Sequence, residues 1–318
     1  MPFKSPSQCL TRFFGVRCRQ ADQLKDAVRR RHADDKRQFW SAPNRLRSGG
    51  EVRLADYELL TLMLSALEWR RLNGPIVLAT DSAGAAFFER AGLAGLWSEG
   101  IDTRLDGMDP APDPLRFWAA GKLWALRCES VPCVMLDGDM ILWENLDGRL
   151  GGDAVAAHRE ALDPAVYPDP RAFALAEGYA FPREWDFSLP AANTAFLYLP
   201  DDGFKAYYVE SAFAFMRALR DPDADPTVAM CFAEQRILPM CAAARGVALR
   251  TLLDEGALDA QRFVTHLWGH KNTLAASPEQ RVAYCLACVQ RILSDFPEWE
   301  GALAANEQTR RYLSGLHT

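Results

Sequence analysis

The residues with the most chemistry to offer are Asp137, Gly138 and Asp139, set in the run Val134-Met135-Leu136-Asp137-Gly138-Asp139-Met140-Ile141-Leu142-Trp143-Glu144. The apolar run Cys133–Leu136 reads as a buried strand that ends directly on the first carboxylate. In open α/β sheets ligands bind just beyond the carboxyl ends of strands, so the two acids stand where a ligand is expected. They can aim oxygens at one point, and Gly138 lets the backbone bend closely around it. Hard cations such as Mg2+ and Mn2+ take one or two carboxylates together with phosphate oxygens. Asp-Gly is also a common turn dipeptide, which is the simpler reading of the same residues. Apolar neighbours on both sides argue for a cation, because two ionised carboxylates between such runs are costly without one.

The elements that must position these acids follow from periodicity. Gln38–Ser41 begins the first core run as a short strand, followed by a polar loop over 42–50. Tyr57, Leu60, Leu64 and Leu67 recur at spacings of three and four, which makes 54–72 a helix. The run 76–80 reads as a buried strand, with Asp81-Ser82 capping a helix over 82–91 that Gly92 closes. Helical patterns follow at 115–127, 204–219, 230–244 and 280–293. Strand patterns follow at 154–158, 194–199 and 247–252. Strand and helix alternating through the first half predicts an α/β fold with a largely parallel sheet. No internal repeat or low-complexity tract is visible. The Pro/Asp-rich loops at 106–114, 163–170 and 221–226 are too short to be domain linkers. One α/β domain over 37–275 is expected, with an N-terminal extension (1–36) and a C-terminal helical tail (276–318).

Composition narrows the function. The 318 residues are 49% hydrophobic and 25% charged, enough for a sizeable core in a soluble globular chain. A net charge of −6 with no basic recognition motif speaks against nucleic acid as a partner. Residues 1–37 run the other way, with ten Lys or Arg against four Asp. Such a leader can rest weakly on an anionic membrane surface, or remain a solvated extension. No signal-peptide core follows those charges, and no apolar run nears the ~20 residues of a membrane span. A cytoplasmic location, peripheral to the membrane at most, is the expectation. Eight scattered cysteines fit free buried thiols. Cys285 and Cys288 have metal-ligand spacing, but no second pair or nearby His completes a zinc set.

The strand running into Asp137-Gly138-Asp139 resembles the DxD motif of GT-A glycosyltransferases, where it binds a divalent metal bridging the diphosphate of a nucleotide-sugar donor. Three further segments, in the same order along the chain, resemble glycosyltransferase family 8. Phe117–Leu126 is similar to the helix before the DxD strand, with Lys122 where that family places an Arg to meet the donor. Ala192-Asn193 is similar to its Asn-centred strand entry, with the Asn near the sugar. Glu234-Gln235 is similar to its acidic-Gln helix start, whose side chains face the transferred sugar, although Asp is usual at the first position. Last, His266-Leu267-Trp268-Gly269-His270-Lys271 resembles the closing His-x-x-Gly-x-x-Lys. Its His is a metal ligand and its Lys meets phosphate, but here Lys271 follows Gly269 by two positions instead of three. His270 could replace His266 in another register.

The likeness spans roughly 37–275 and is patchy. It is closer to a group of uncharacterised bacterial proteins that share a Gly-Lys helix, a Leu/Val-Asp-Gly-Asp strand and a Thr-His-Leu-Trp-Gly terminus. The resemblance implies a single GT-A (nucleotide-diphospho-sugar transferase, Rossmann-like) domain with a mixed, mostly parallel central sheet. It implies Mn2+ or Mg2+ on Asp137, Asp139 and His266, and a donor held by Lys122, Asp137, Asn193 and Lys271. Gln235 and Glu234 would be the catalytic pair at the sugar face. A UDP-sugar is the default donor, a glycan or other hydroxyl the acceptor, and retention of configuration the implied outcome. An inverting enzyme would instead need a carboxylate base, which Glu234 or Asp186 could supply.

Two rival functions share these residues. A haloacid-dehalogenase-like phosphohydrolase would use Asp137 as nucleophile and Asp139 as acid/base. Strand–helix units already precede the motif, and no Thr or Val stands two places after Asp139, which counts against it. A non-catalytic protein keeping the GT-A scaffold is the other, and intact Asp137, Asp139 and His266 argue against that. Other features have simpler readings: Asp201-Asp202 as a solvated turn, and Trp118, Trp124, Trp143 and Trp268 as core packing more than sugar platforms.

Overall fold

The computed structural model describes residues 37–41, 47–48, 51–52, 54–109, 111–113, 116–221, 224–254, 263–267 and 270–314. The N-terminal extension, Trp268 and Gly269 lie outside these. The chain runs β1 (Arg37–Ser41), β2 (Arg47–Ser48), β3 (Glu51–Val52), α1 (Asp56–Leu72), β4 (Ile76–Ala79), α2 (Ser82–Arg90), β5 (Ile101–Asp102) and α3 (Ala120–Cys128). Strands β6 (Cys133–Leu136), β7 (Met140–Leu142), β8 (Ala154–Glu160) and β9 (Ala191–Leu199) follow. Next come α4 (Asp202–Ala218), α5 (Pro226–Cys231), a π turn at Phe232–Arg236 and α6 (Ile237–Ala244). The chain closes through β10 (Leu249–Thr251), β11 (Val264–His266), α7 (Lys271–Ala276), α8 (Pro278–Asp295), α9 (Glu300–Ala305) and α10 (Arg310–Ser314).

Seven strands form the central sheet in the order β10-β8-β9-β6-β1-β4-β5. Strand β9 runs antiparallel to both of its neighbours, and every other pairing is parallel. The expected mixed, mostly parallel α/β sheet is therefore what the chain forms. Six strands point one way, so their carboxyl ends gather at one edge. A two-stranded antiparallel ribbon, β7 with β11, stands beside that edge.

The period-2 pattern of the central strands sorts side chains onto two cores. Val134 and Leu136 of β6, Leu78 of β4, and Phe196 and Tyr198 of β9 pack with α1 and α8. Cys133 and Met135, Val77 and Ala79, and Leu197 and Leu199 pack on the opposite face with α3, α4 and α6. Helix α1 is buried on nearly all sides, from Tyr57 through Trp69, because it lies between the sheet and α8. The one deeply buried acid on its inner turns, Glu68, is met by Arg71 and Arg291.

The C-terminal helices share the core with α1. Tyr284 Oη and Thr61 Oγ1 lie 2.7 Å apart. Asp56, only 1% exposed, accepts from Arg281 Nε at 2.6 Å and also from Arg311 and the Tyr312 hydroxyl. Burial raises the Asp56 pKa, but Tyr312, Arg281 and Arg311 outweigh it and hold the carboxyl below its usual range. A carboxyl depressed in the folded state contributes stability that is full above its unfolded pKa and fades as pH falls through the folded value. Asp56→Ala is expected to cost about 3 kcal/mol near neutral pH, and its deficit against wild type should shrink in acid. Urea denaturation of both proteins at pH 7 and below pH 4 measures this.

Cys285 and Cys288 are completely buried against α1 and carry free thiols. Burial pushes Cys285 up to about 12 and raises Cys288 as well. A packing role predicts that neither reacts with iodoacetamide at pH 8 in the folded protein, whereas exposed Cys128 does. Site-resolved mass spectrometry before and after denaturation reads this directly.

Three sequence expectations change. The helix expected over 115–127 begins at Ala120, because Asp113 O accepts from Arg116 N and Phe117 N in a separate preceding turn. Asp201-Asp202 is not a solvated turn: the Asp201 side chain caps α4 by accepting from Phe204 N at 2.6 Å. The helix expected over 230–244 is interrupted by the π turn. Pro239 has no N–H to give the Gln235 carbonyl four residues back, so the regular ladder breaks there.

Candidate active site

Asp137-Gly138-Asp139 sits at the carboxyl end of β6 and turns the chain into β7. Met140 N donates to Asp137 O at 3.0 Å, so the backbone is a β-turn, as the simpler reading of Asp-Gly has it. Both acids are anchored through their backbones. Asp137 N donates to Ala195 O of β9 at 2.7 Å, and Leu267 N donates to Asp139 O at 2.9 Å. The register of the β7–β11 ribbon sets His266 opposite Met140, next to Asp139 in sequence. Trp143 braces the ribbon, its Nε1 donating to Thr265 Oγ1 at 2.8 Å.

Helix α3 brings Lys122 under the turn from the far face of the sheet. Its Nζ lies 2.7 Å from Asp137 Oδ1 and 2.5 Å from Glu234 Oε1. Glu234 comes from the π turn, is 2% exposed, and also accepts from Thr194 Oγ1 at 2.5 Å. Burial alone would push the Lys122 ammonium down. Asp137 and Glu234 outweigh it and hold the group protonated above the ordinary lysine range. On the other side of the turn, Lys271 Nζ is 2.8 Å from Asp139 Oδ2. His266 Nε2 faces Asp139 Oδ1 at 3.7 Å, beyond hydrogen-bond length. Burial raises the Asp139 pKa, and His266, Lys271 and Lys122 together bring it below the usual carboxylate range. Burial lowers the His266 pKa despite the nearby Asp139 and Asp137.

A second arm continues from β9. Asn193 Nδ2 donates to Glu160 Oε1 at 2.7 Å, and Asn193 Oδ1 accepts from Ala195 N at 2.9 Å. Glu160 stands at the end of β8, where the register pairs it with Ala191. The Tyr167 hydroxyl lies 2.6 Å from Glu160 Oε2 and 2.6 Å from Gln235 Oε1. A phenol has one proton, so donation to Glu160 requires Gln235 to turn its amide NH2 toward the phenol oxygen. His158 lies nearby, its Nε2 4.0 Å from Glu160 Oε1. The π turn thus gives three consecutive side chains separate tasks. Glu234 meets Lys122, Gln235 meets Tyr167, and Arg236 donates to the carbonyls of Phe187 and Leu189.

Asp137, Asp139, Lys122, Asn193, Glu234, Gln235, His266 and Lys271 all fall on this one edge, in two linked groups. His270 does not join them: it is exposed and precedes α7. Asp186 is exposed and accepts from Ser188, with no hydrogen bond to the other site residues among those described. Sequence reading missed Thr194, Glu160, Tyr167 and His158. The polar trio His158-Arg159-Glu160 closing an otherwise apolar strand was the available signal for two of them.

Among the described residues, no three His, Cys, Asp or Glu side chains are grouped to hold a metal as they stand. The donor chemistry nevertheless fits a divalent cation. Asp137, Asp139 and Glu234 are three carboxylates against the ammonium groups of Lys122 and Lys271, and His266 Nε2 faces Asp139 Oδ1. That excess of negative charge, with imidazole nitrogen beside carboxylate oxygen, suits a divalent cation.

The fold and the site define an α/β protein with a charged carboxylate–lysine network at the carboxyl edge of its sheet. The chain belongs to the Family of unknown function (DUF6734), whose model matches residues 37–299. No protein of curated function matches it. Among solved structures it is similar to the crystal structure of mouse xyloside xylosyltransferase 1 in its apo form, at 12% sequence identity and a TM-score of 0.36. That likeness covers 64% of this chain and 83% of the mouse chain, and at this level it assigns neither substrate nor mechanism. No helix among the described residues is long and apolar enough to cross a membrane.

Proposed function

We propose that this protein is a metal-dependent glycosyltransferase of the GT-A type, moving a sugar from a nucleotide-diphosphate donor to an acceptor hydroxyl. One observation supports this reading most. The Lys122 ammonium lies within 2.7 Å of Asp137 and 2.5 Å of Glu234, so the Gly-Lys helix, the acidic turn and the acidic-Gln segment meet at one atom. Segments far apart in sequence that resemble one family in order also converge in space. Asp137, Asp139 and His266 would hold Mn2+ or Mg2+, which supplies Lewis-acid charge for the diphosphate leaving group.

The chain's own residues do the rest. Lys271, half-buried on Asp139, can turn to a phosphate as a point charge. Lys122 keeps Asp137 and Glu234 aligned and lends positive charge from beneath the turn. Asn193 and Thr194 fix the orientations of Glu160 and Glu234 at the sugar side. In the transfer step the acceptor oxygen bonds to the anomeric carbon on the same face from which the diphosphate oxygen departs. The bonding pair leaves on the diphosphate, and the hydroxyl proton goes to that newly charged oxygen. This route keeps the configuration of the sugar and needs no separate base, in keeping with Glu234 being tied to Lys122 and Thr194.

The test is turnover. Incubation with a panel of UDP-sugars and Mn2+ is expected to release UDP from one of them, by transfer or slow hydrolysis, and EDTA should stop it. Release of inorganic phosphate from phosphomonoesters, lost in Asp137→Asn and kept in His266→Ala, would instead establish the phosphohydrolase.

A further inference from the structure

The segment between β8 and β9 folds back to form a cavity of about 610 Å3 that opens to solvent, lined by Tyr167, Phe173, Tyr179, Phe181, Phe187 and Arg236 among others. Volumes of this order accommodate a small organic ligand or one to two sugar rings. Phe173, Tyr179, Phe181 and Phe187 are only half-buried, so aromatic surface is left facing the cavity. These rings do not move freely. Phe181 packs on Phe215 and Phe232 in the core, and Phe173 packs edge-on against the same pair. Arg236 spends guanidinium hydrogen bonds on Phe187 O and Leu189 O, which fixes the loop forming one wall. The charged pair at the rim, Asp169 with Arg171, is exposed and neutralises itself.

The cavity contains none of Asp137, Asp139 or His266. It reaches the carboxylate network through one residue, Tyr167, which lines the cavity and places its hydroxyl 2.6 Å from both Glu160 and Gln235. A ligand resting on the aromatic rings would therefore lie against Tyr167, one side chain away from Glu160 and Gln235.

We propose that this cavity is the acceptor site, and that the acceptor is a small molecule carrying its reactive hydroxyl beside a flat apolar or aryl group. The assignment rests on the glycosyltransferase reading, and deepens it by naming the acceptor's chemistry. Flat apolar faces stack on such rings, and Arg236, bonded to the Phe187 and Leu189 carbonyls, leaves the wall one positive charge that disfavours a cationic acceptor. Tyr167 is the positioning residue between the two halves of the site, its ring in the cavity wall and its hydroxyl on Glu160 and Gln235.

The test separates acceptor from donor. Saturation-transfer NMR on the full chain with 4-nitrophenyl β-D-glucoside as probe is expected to show contact through the aryl protons. Ala180→Trp, which adds bulk at an exposed lining position, should weaken that probe at least about tenfold. Tyr179→Ser should weaken it less. In both variants the thermal shift given by UDP with Mn2+ should stay at the wild-type value. No aryl contact with wild type, or unchanged affinity in Ala180→Trp, would overturn the acceptor assignment even if UDP and Mn2+ bind. Aryl binding that Ala180→Trp removes, in a protein that binds no nucleotide, would leave a ring-binding cavity and remove its role as acceptor site.

Discussion

Lys122→Met is expected to lower the unfolding free energy by about 3–5 kcal/mol, among the largest losses available to a single substitution in this chain. The reason is what remains behind. Glu234 is 2% exposed and has Lys122 as its ionic partner, and Asp137 leans on the same ammonium. Removing the lysine strands at least one carboxylate in a poorly solvated place. The group's raised pKa also fixes the sign of its pH dependence. A lysine held above its unfolded value stabilises fully at every pH below that value, and loses its contribution only as pH rises through the folded one. The deficit of the variant should therefore be complete at pH 7. Combining it with Glu234→Gln removes the stranded charge and should recover part of the loss, a coupling of about 1–3 kcal/mol. Urea denaturation of the four proteins in the cycle measures it. Strictly additive effects would mean that the two side chains do not depend on each other.

Asp139→Ala should do the opposite, sparing stability and removing function. Its partner Lys271 is 31% exposed at the side chain and can rehydrate, so the cost to folding should stay within about 1 kcal/mol. For the proposed transfer the cost to turnover should be about 1000-fold or more in kcat/KM, because the charge that develops on the diphosphate would lose the metal that answers it. Lys271→Ala is expected to act more weakly and mainly on KM, as a phosphate contact on a half-exposed point charge. Equal losses in the two variants would place the lysine, and not the carboxylate, at the centre of the site.

The sheet was legible in the sequence because its strands are short apolar runs punctuated by acids and glycines. Cys133–Leu136 ends where its pattern says it should, and Asp81 caps the helix that follows β4. Other parts were not legible, for identifiable reasons. The ribbon strands β7 and β11 are three residues each, too short to show a period. The π turn inserts one residue into a helical pattern, which periodicity absorbs, and only Pro239 betrays it. At the site, the residues carried by the family likeness were visible because they are polar within recognisable segments. Tyr167 and Glu160 were not, since one comes from an irregular loop and the other from the last position of a strand, and only the fold brings them together.

In the proposed site Asp137, Asp139 and His266 would hold a divalent metal that carries a nucleotide diphosphate. Calorimetric titration of UDP into the wild type and Asp139→Ala, each with Mn2+ and with EDTA, tests it most directly. UDP is expected to bind the wild type only with Mn2+, and Asp139→Ala under neither condition. Binding of UDP that is equal with EDTA and Mn2+, or that survives Asp139→Ala, would contradict the proposed site.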